Sequence, residues 1–247
     1  MTLVPHGDPP RYFTFRSLAS LGVPHATTTR HFDAATPFRD PSGPFRLDGA
    51  GGLAEAGIDL ARAAYARQMH GAASAQPAGG GFAGEVDVLS TSDRGLPLAV
   101  FTADCLAVTV YDAAAPALVV AHVGWRGTVR GATGAAVAAL TKVGGQAARA
   151  VATIAPSIGP CCYEVDGPVI DAFAEQYPDA WERWVASSGP GHWMLDLWSA
   201  NEDLLVRAGL RRDRIENARL CTACHVDLLF SYRKGNRGRL VTVAALP

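Results

Sequence analysis

Two consecutive apolar runs, with a glycine-marked unit behind them, limit the folds open to this chain more than any other stretch. Residues 95–111 read as two β-rich runs joined across Ala103-Asp104-Cys105, and residues 117–123 follow as a strand apolar on both faces. That strand opens into Gly124-Trp-Arg-Gly127. Small residues at helical spacing then predict a helix over 129–143, stopped by Gly144-Gly145. A further strand is expected at 150–155, helices at 168–176 and 199–208, and sheet edges at 229–232 and 240–245. Residues 34–52 and 72–84, rich in Gly, Pro and Ala, read as loops. Strands and helices mix without strict βαβ alternation, so the pattern predicts a single α+β domain over residues 1–247.

Composition narrows the function classes. With 49% apolar and 18% charged residues over 247 positions, the chain can bury a sizeable core. A formal charge of -1 leaves no basic surplus for a phosphate backbone or an anionic bilayer, so neither nucleic acid nor membrane is expected as a partner. Only Lys142 and Lys234 among the 22 basic residues are lysines; the rest are planar, bidentate guanidinium groups. The polar, proline-rich stretch from Met1 to Pro10 does not resemble a signal peptide, and no run approaches the roughly 18 apolar residues of a membrane span. Five cysteines, an odd number in a chain of this size, read as reduced thiols, and the expected address is cytoplasmic.

His70, Cys105 and His122 each stand where a β-rich run meets a loop. Two imidazoles and a thiolate are suitable zinc ligands, and three protein ligands leave a fourth position open, the pattern of catalytic zinc. Their spacing matches no short zinc motif. The same residues support a metal-free reading, with Cys105 as nucleophile, His122 or His70 as its base, and Asp104 orienting that base. Metal content and sensitivity to chelation separate the two. In the loop 124–131, glycines at a strand-to-helix junction let backbone N–H groups approach an anion, with Arg126 and Arg130 adding charge-assisted bonds.

Cys221-Thr-Ala-Cys224-His225 fits a haem-attachment pattern literally and also resembles a redox pair. Covalent haem belongs to exported chains, so a turn-forming or pocket-lining role is expected instead. Cys161-Cys162 is expected to be a packed loop rather than a ligand set, because adjacent side chains seldom converge on one ion without a strained backbone.

The ordered series Thr27-Thr-Thr-Arg30, Gln68-Met-His-Gly71, Thr102-Ala-Asp-Cys-Leu106, Ala121-His-Val-Gly-Trp-Arg-Gly127, Ile154-Ala-Pro-Ser-Ile-Gly-Pro-Cys-Cys-Tyr-Glu-Val165, Cys221-Thr-Ala-Cys224, Phe230-Ser-Tyr-Arg233 and Gly238-Arg239 resembles the signature blocks of the YfiH-like family. That family is also called the laccase-domain or multicopper polyphenol oxidase family, and its members are described as purine nucleoside phosphorylases. The resemblance runs from about residue 27 to the C-terminus. It implies α/β/β/α layers, zinc held by His70, Cys105 and His122, and phosphorolysis of adenosine, inosine, guanosine and S-methyl-5'-thioadenosine, with adenosine deaminase side activity. Phosphate is assigned to the Arg126 loop with help from Arg30. Gln68 and Asp104 complete the expected substrate contacts, and the acid for the leaving base is His70, His122 or a water. Thiolate with imidazole also admits incidental copper. A true multicopper oxidase would need many more histidines than the 7 present. The runner-up activities are the Cys–His hydrolase and the older polyphenol oxidase; a non-enzymatic accessory protein is a third possibility. A monomer is expected.

The chain departs from the family pattern between Arg30 and Gln68. A turn and helix usual there are replaced by the shorter stretch 45–53, in which Asp48 stands near the usual asparagine position. A trimmed pocket wall and an altered substrate range are the expected results.

Overall fold

A computed structural model describes residues 2–32 and 50–247. Asp48, and residues 34–49 of the first stretch read as loop, lie outside the described residues; residues Ala50–Ala56 form a 3-10 helix.

Two mixed sheets face one another. The first has seven strands, ordered Leu3–His6, Tyr12–Phe15, His25–Thr28, Leu240–Ala244, Leu98–Thr102, Ala64–Tyr65 and Gly81–Phe82. The second has six, ordered Ile215–Asn217, Val151–Ile154, Leu106–Asp112, Ala117–Val123, Val88–Thr91 and Ser74–Ala75. A small three-stranded sheet of Glu164–Asp166, His192–Leu195 and Val185–Gly189 lies apart.

Period-two alternation decides what each face meets. Leu118 and Val120 point between the sheets, where they join Leu98, Val100 and Leu89 in one core cluster. Val119, Ala121 and Val123 point the other way, against helices Ala132–Lys142, Gly167–Gln176 and Leu197–Arg207. Ala132, Ala136 and Ala139, small and fully buried, let the first of these helices lie close on the sheet. The outer face of the seven-stranded sheet, with Phe13, Ala99 and Val243, is covered by Leu53, Ile58 and Leu60 from the 3-10 segments and by Leu229 and Phe230. The α+β architecture is therefore layered with both sheets inside. Leu118 is fully buried between the sheets, so Leu118→Ala is expected to cost about 2–5 kcal/mol, read from urea denaturation.

Several boundaries differ from the sequence expectation. The two runs in 95–111 are strands, but of different sheets: Asp104, with φ of 87°, turns the chain from one sheet into the other. The helix predicted over 129–143 is two helices, Trp125–Val129 and Ala132–Lys142, because Gly131 adopts φ of 85°. Residues 229–232 are not a sheet edge but a covering segment that carries no strand, and Leu240–Ala244 is central rather than an edge, paired with both His25–Thr28 and Leu98–Thr102. The loop expected at 72–84 contains the short strands Ser74–Ala75 and Gly81–Phe82. Among the described residues, no helix is long and apolar enough to cross a membrane.

Candidate metal centre

His122 shares strand parity with Leu118 and Val120 and stands at the end of its strand, buried at the mouth of the inter-sheet space. Its strand pairs with Leu106–Asp112 in a register that sets Val123 opposite Leu106, so Cys105 and Gly124 face each other just beyond the ladder. His70 reaches the same point from a turn in which it adopts φ of 55°. Arg130 Nη1 donates to the His70 carbonyl at 3.0 Å and holds that turn. The ligand atoms of His70, Cys105 and His122 all lie within 4.8 Å of one another, and the two rings meet edge to face at 4.8 Å. This spacing suits one tetrahedral ion with an open position.

Gly124 makes the convergence possible. A Cβ there would stand 2.8 Å from the Cys105 Sγ and 3.4 Å from the His70 ring. Its backbone is extended, so only the missing volume matters. Gly124→Ala is expected to displace the thiol and lower the affinity of this site for metal at least about tenfold with an unchanged far-UV spectrum; competition against a chromophoric chelator is the measurement.

Behind the three candidate ligands lies Asp87, which the sequence reading did not single out. Its buried carboxylate accepts from the His122 Nδ1 at 2.8 Å and from the backbone N–H groups of Met69 (3.1 Å), His70 (3.0 Å) and Gly71 (2.7 Å). One side chain thus orients an imidazole and builds the turn that presents another. Burial would raise this carboxyl, but His122 and the Gly71 N–H hold it below its usual range. Burial would likewise raise the Cys105 thiol, yet His122 and His70 pull it down to about 6. Asp87 and Cys105 in turn hold the His122 imidazole above its usual value, against the effect of burial.

The set opens into a cavity of about 620 Å³ whose wall includes Gln68, Asp104, Trp125, Arg126, Tyr163 and Arg233, a size usual for small-molecule sites. Arg126 stacks over Trp125 at 4.4 Å and, among the described residues, has no carboxylate partner. Arg233 lies over Tyr163 at 5.3 Å, and Arg239 also lines the cavity. Thr102 lines it as well, and its Oγ1 is the one buried side-chain polar atom without a hydrogen-bond partner among the described residues.

The remaining expected contacts have other work. Gln68 clamps Phe101, donating to its carbonyl and accepting from its N–H, both at 2.7 Å. The Asp104 carboxylate accepts from Thr222 Oγ1 (2.6 Å) and the Arg233 N–H (2.7 Å), so the partner that orients His122 is Asp87 and not Asp104. Arg30 does not join the cavity wall; it donates to the Val226 carbonyl and lies over Phe230 at 5.6 Å. The helix after Gly124 is only five residues long, so positive charge near the cavity comes from guanidinium side chains rather than from a helix terminus.

Residues 51–247 match the family model described as multi-copper polyphenol oxidoreductase laccase. A Geobacillus stearothermophilus protein named purine nucleoside phosphorylase YlmD is 35% identical over 159 residues, 63% of this chain and 58% of that one. A protein of an unknown prokaryotic organism named adenosine deaminase RL5 is 34% identical over 159 residues, 64% of this chain and 61% of its own. This chain thus matches about three fifths of the length of these relatives. The solved structure of Bacillus licheniformis YfiH superposes with a TM-score of 0.85 at 27% identity, covering 97% of this chain and 98% of that one. With the ordered motif blocks on one two-sheet scaffold and the family match spanning most of its length, the chain belongs to the YfiH-like, or multi-copper polyphenol oxidoreductase laccase, family.

Proposed function

We propose that this protein is a metal-dependent purine nucleoside phosphorylase with adenosine deaminase side activity, acting on adenosine, inosine, guanosine and S-methyl-5'-thioadenosine. The observation that carries the reading is the His70, Cys105 and His122 set, backed by Asp87 and opening on a cavity lined by Arg126, Arg233 and Arg239 and by aromatic side chains. The names of the relatives support the choice of substrate.

The donor set fits zinc: two imidazoles and a thiolate at mutual distances that suit one ion, with an acidic group fixing one imidazole. When bound, zinc supplies Lewis acidity to an oxygen presented at its open position. Arg126 takes phosphate, with Arg233 and Arg239 lining the same cavity. Trp125 and Tyr163 offer flat faces for the purine. In phosphorolysis a phosphate oxygen bonds to the ribose C1 as the glycosidic bond breaks, and the electron pair leaves with the base, which is protonated at N7. That proton comes from solvent, because both imidazoles serve the metal on this reading and the His122 Nδ1 is already held by Asp87.

Incubating metal-analysed protein with adenosine and phosphate tests the proposal. Adenine and ribose 1-phosphate are expected only when phosphate is present, and inosine with or without it. Formation of neither product overturns the reading.

One specific arrangement favours a second reading. Asp87, His122 and Cys105 line up as acid, base and depressed-pKa thiol, the order of a Cys–His–Asp nucleophilic site. On this reading, activity survives full removal of metal and is lost to a thiol alkylating agent.

A further inference from the structure

Away from the cavity, the chain gathers its other four cysteines at one point. Cys161 and Cys162 sit in the turn after Gly159, closed by the N–H groups of Cys162 (3.0 Å) and Tyr163 (3.1 Å) on the Gly159 carbonyl. Cys221 lies in an isolated bridge with Ser157, and Cys224 follows after two residues. The Cys224 Sγ is 3.5 Å from that of Cys161 and 3.4 Å from that of Cys162. All four sulfurs lie within 4.8 Å of one another, and all four are free thiols. The two pairs, expected to be separate loops, therefore form one cluster. Adjacent Cys161 and Cys162 converge without entering the left-handed backbone region.

We propose that Cys161, Cys162, Cys221 and Cys224 form a second metal site, a tetrathiolate holding a structural zinc ion. Metal–sulfur bonds of about 2.3 Å in a tetrahedron set the sulfurs about 3.8 Å apart, within the spread found here. Cys221-Thr-Ala-Cys224 has the two-residue spacing of a zinc knuckle. The Gly159 N–H donates to the Cys221 Sγ at 3.2 Å, the kind of outer bond that offsets charge on a ligating thiolate. Two disulfides account for the geometry less well. Cys224 stands equally near two neighbours, and those neighbours are adjacent in the chain.

The ion would tie together two loops that build the cavity. One carries Ile158 and Tyr163 on the wall. The other carries Thr222, whose hydroxyl holds Asp104 beside Cys105. Arg30, absent from the cavity, anchors the second loop at Val226, and Arg233 anchors the first at the Glu164 carbonyl (2.8 Å).

The test uses Cys105→Ala, which keeps all four thiols and removes one ligand of the cavity site. Protein is stripped with chelator under reducing, anaerobic conditions and reloaded with Zn2+ or Co2+. One zinc per chain is expected on Cys105→Ala, two on the wild type, and one on Cys224→Ser. Cobalt on Cys105→Ala should give the intense near-ultraviolet charge-transfer bands of several thiolates, and zinc should protect its thiols from a disulfide reagent until chelator is added. If Cys105→Ala holds no zinc, or its four thiols react at once with zinc present, the proposal is overturned. Activity plays no part in these readouts, so failure here is distinct from failure of the phosphorylase reading. If Cys224→Ser does not fold, the Cys105→Ala measurements still decide.

Discussion

Cys105→Ala is expected to abolish both phosphorolysis and deamination, by at least about a thousandfold, since it removes a member of a unit whose parts act together. On the proposed reading, the substitution leaves two imidazoles where three donors would hold the ion. Bound metal should fall by one equivalent per chain, while the fold, whose core lies on either side of the sheets, stays intact. Cys105 is partly buried and small, so its loss adds little cavity cost. Pairing the activity assay with metal analysis makes the result specific. Full phosphorolysis by wild-type protein stripped of zinc would remove the metal from the mechanism and leave the thiol nucleophile in its place.

Asp87→Ala should produce the second large effect, and on two readouts at once. Four donors converge on this carboxylate: three backbone N–H groups of the 69–71 turn and the His122 ring. Removing it leaves them buried or half-buried without an acceptor, at a cost of about 3–5 kcal/mol, visible as a lower urea midpoint. Asp87→Asn is milder and more diagnostic. It preserves volume but offers one acceptor oxygen in place of two, so His122 loses its fixed orientation and metal affinity should drop about 10–100-fold. Competition against a chromophoric chelator measures this. Wild-type affinity in Asp87→Asn would show that the carboxylate serves the turn alone.

The parts legible in the sequence are those with a local signature. The alternation and apolarity of 117–123, the glycines after it and the small residues of the following helix mark a strand, turn and helix, and they stand there. His70, Cys105 and His122 were legible as donor types at strand ends and as members of an ordered motif series. What escaped depends on contacts between distant segments. Asp87 reads as an aspartate opening a buried strand, and nothing within a few residues reveals that its partners come from 69–71 and 122. The cysteine cluster joins 161–162 to 221–224, and neither short motif announces the other. The residues 229–232 alternate like a strand but cover the outer face of the sheet instead, because Leu229 and Phe230 are taken up by the outer core. Arg30 belongs to a recognised motif, yet its guanidinium is committed to Val226.

The position of Leu240–Ala244 in the sheet bears on how the molecule is made. This strand fills the gap between His25–Thr28 and Leu98–Thr102, so neither neighbour has its full set of ladder bonds until it is in place. A ribosome delivers it after everything else in the sheet. Until then both neighbours present open edges, and the apolar residues between the sheets lack one wall. The seven-stranded sheet can therefore close only after residue 244 has left the exit tunnel, and nascent chains arrested before that point would be natural clients for chaperones that shield unpaired strands.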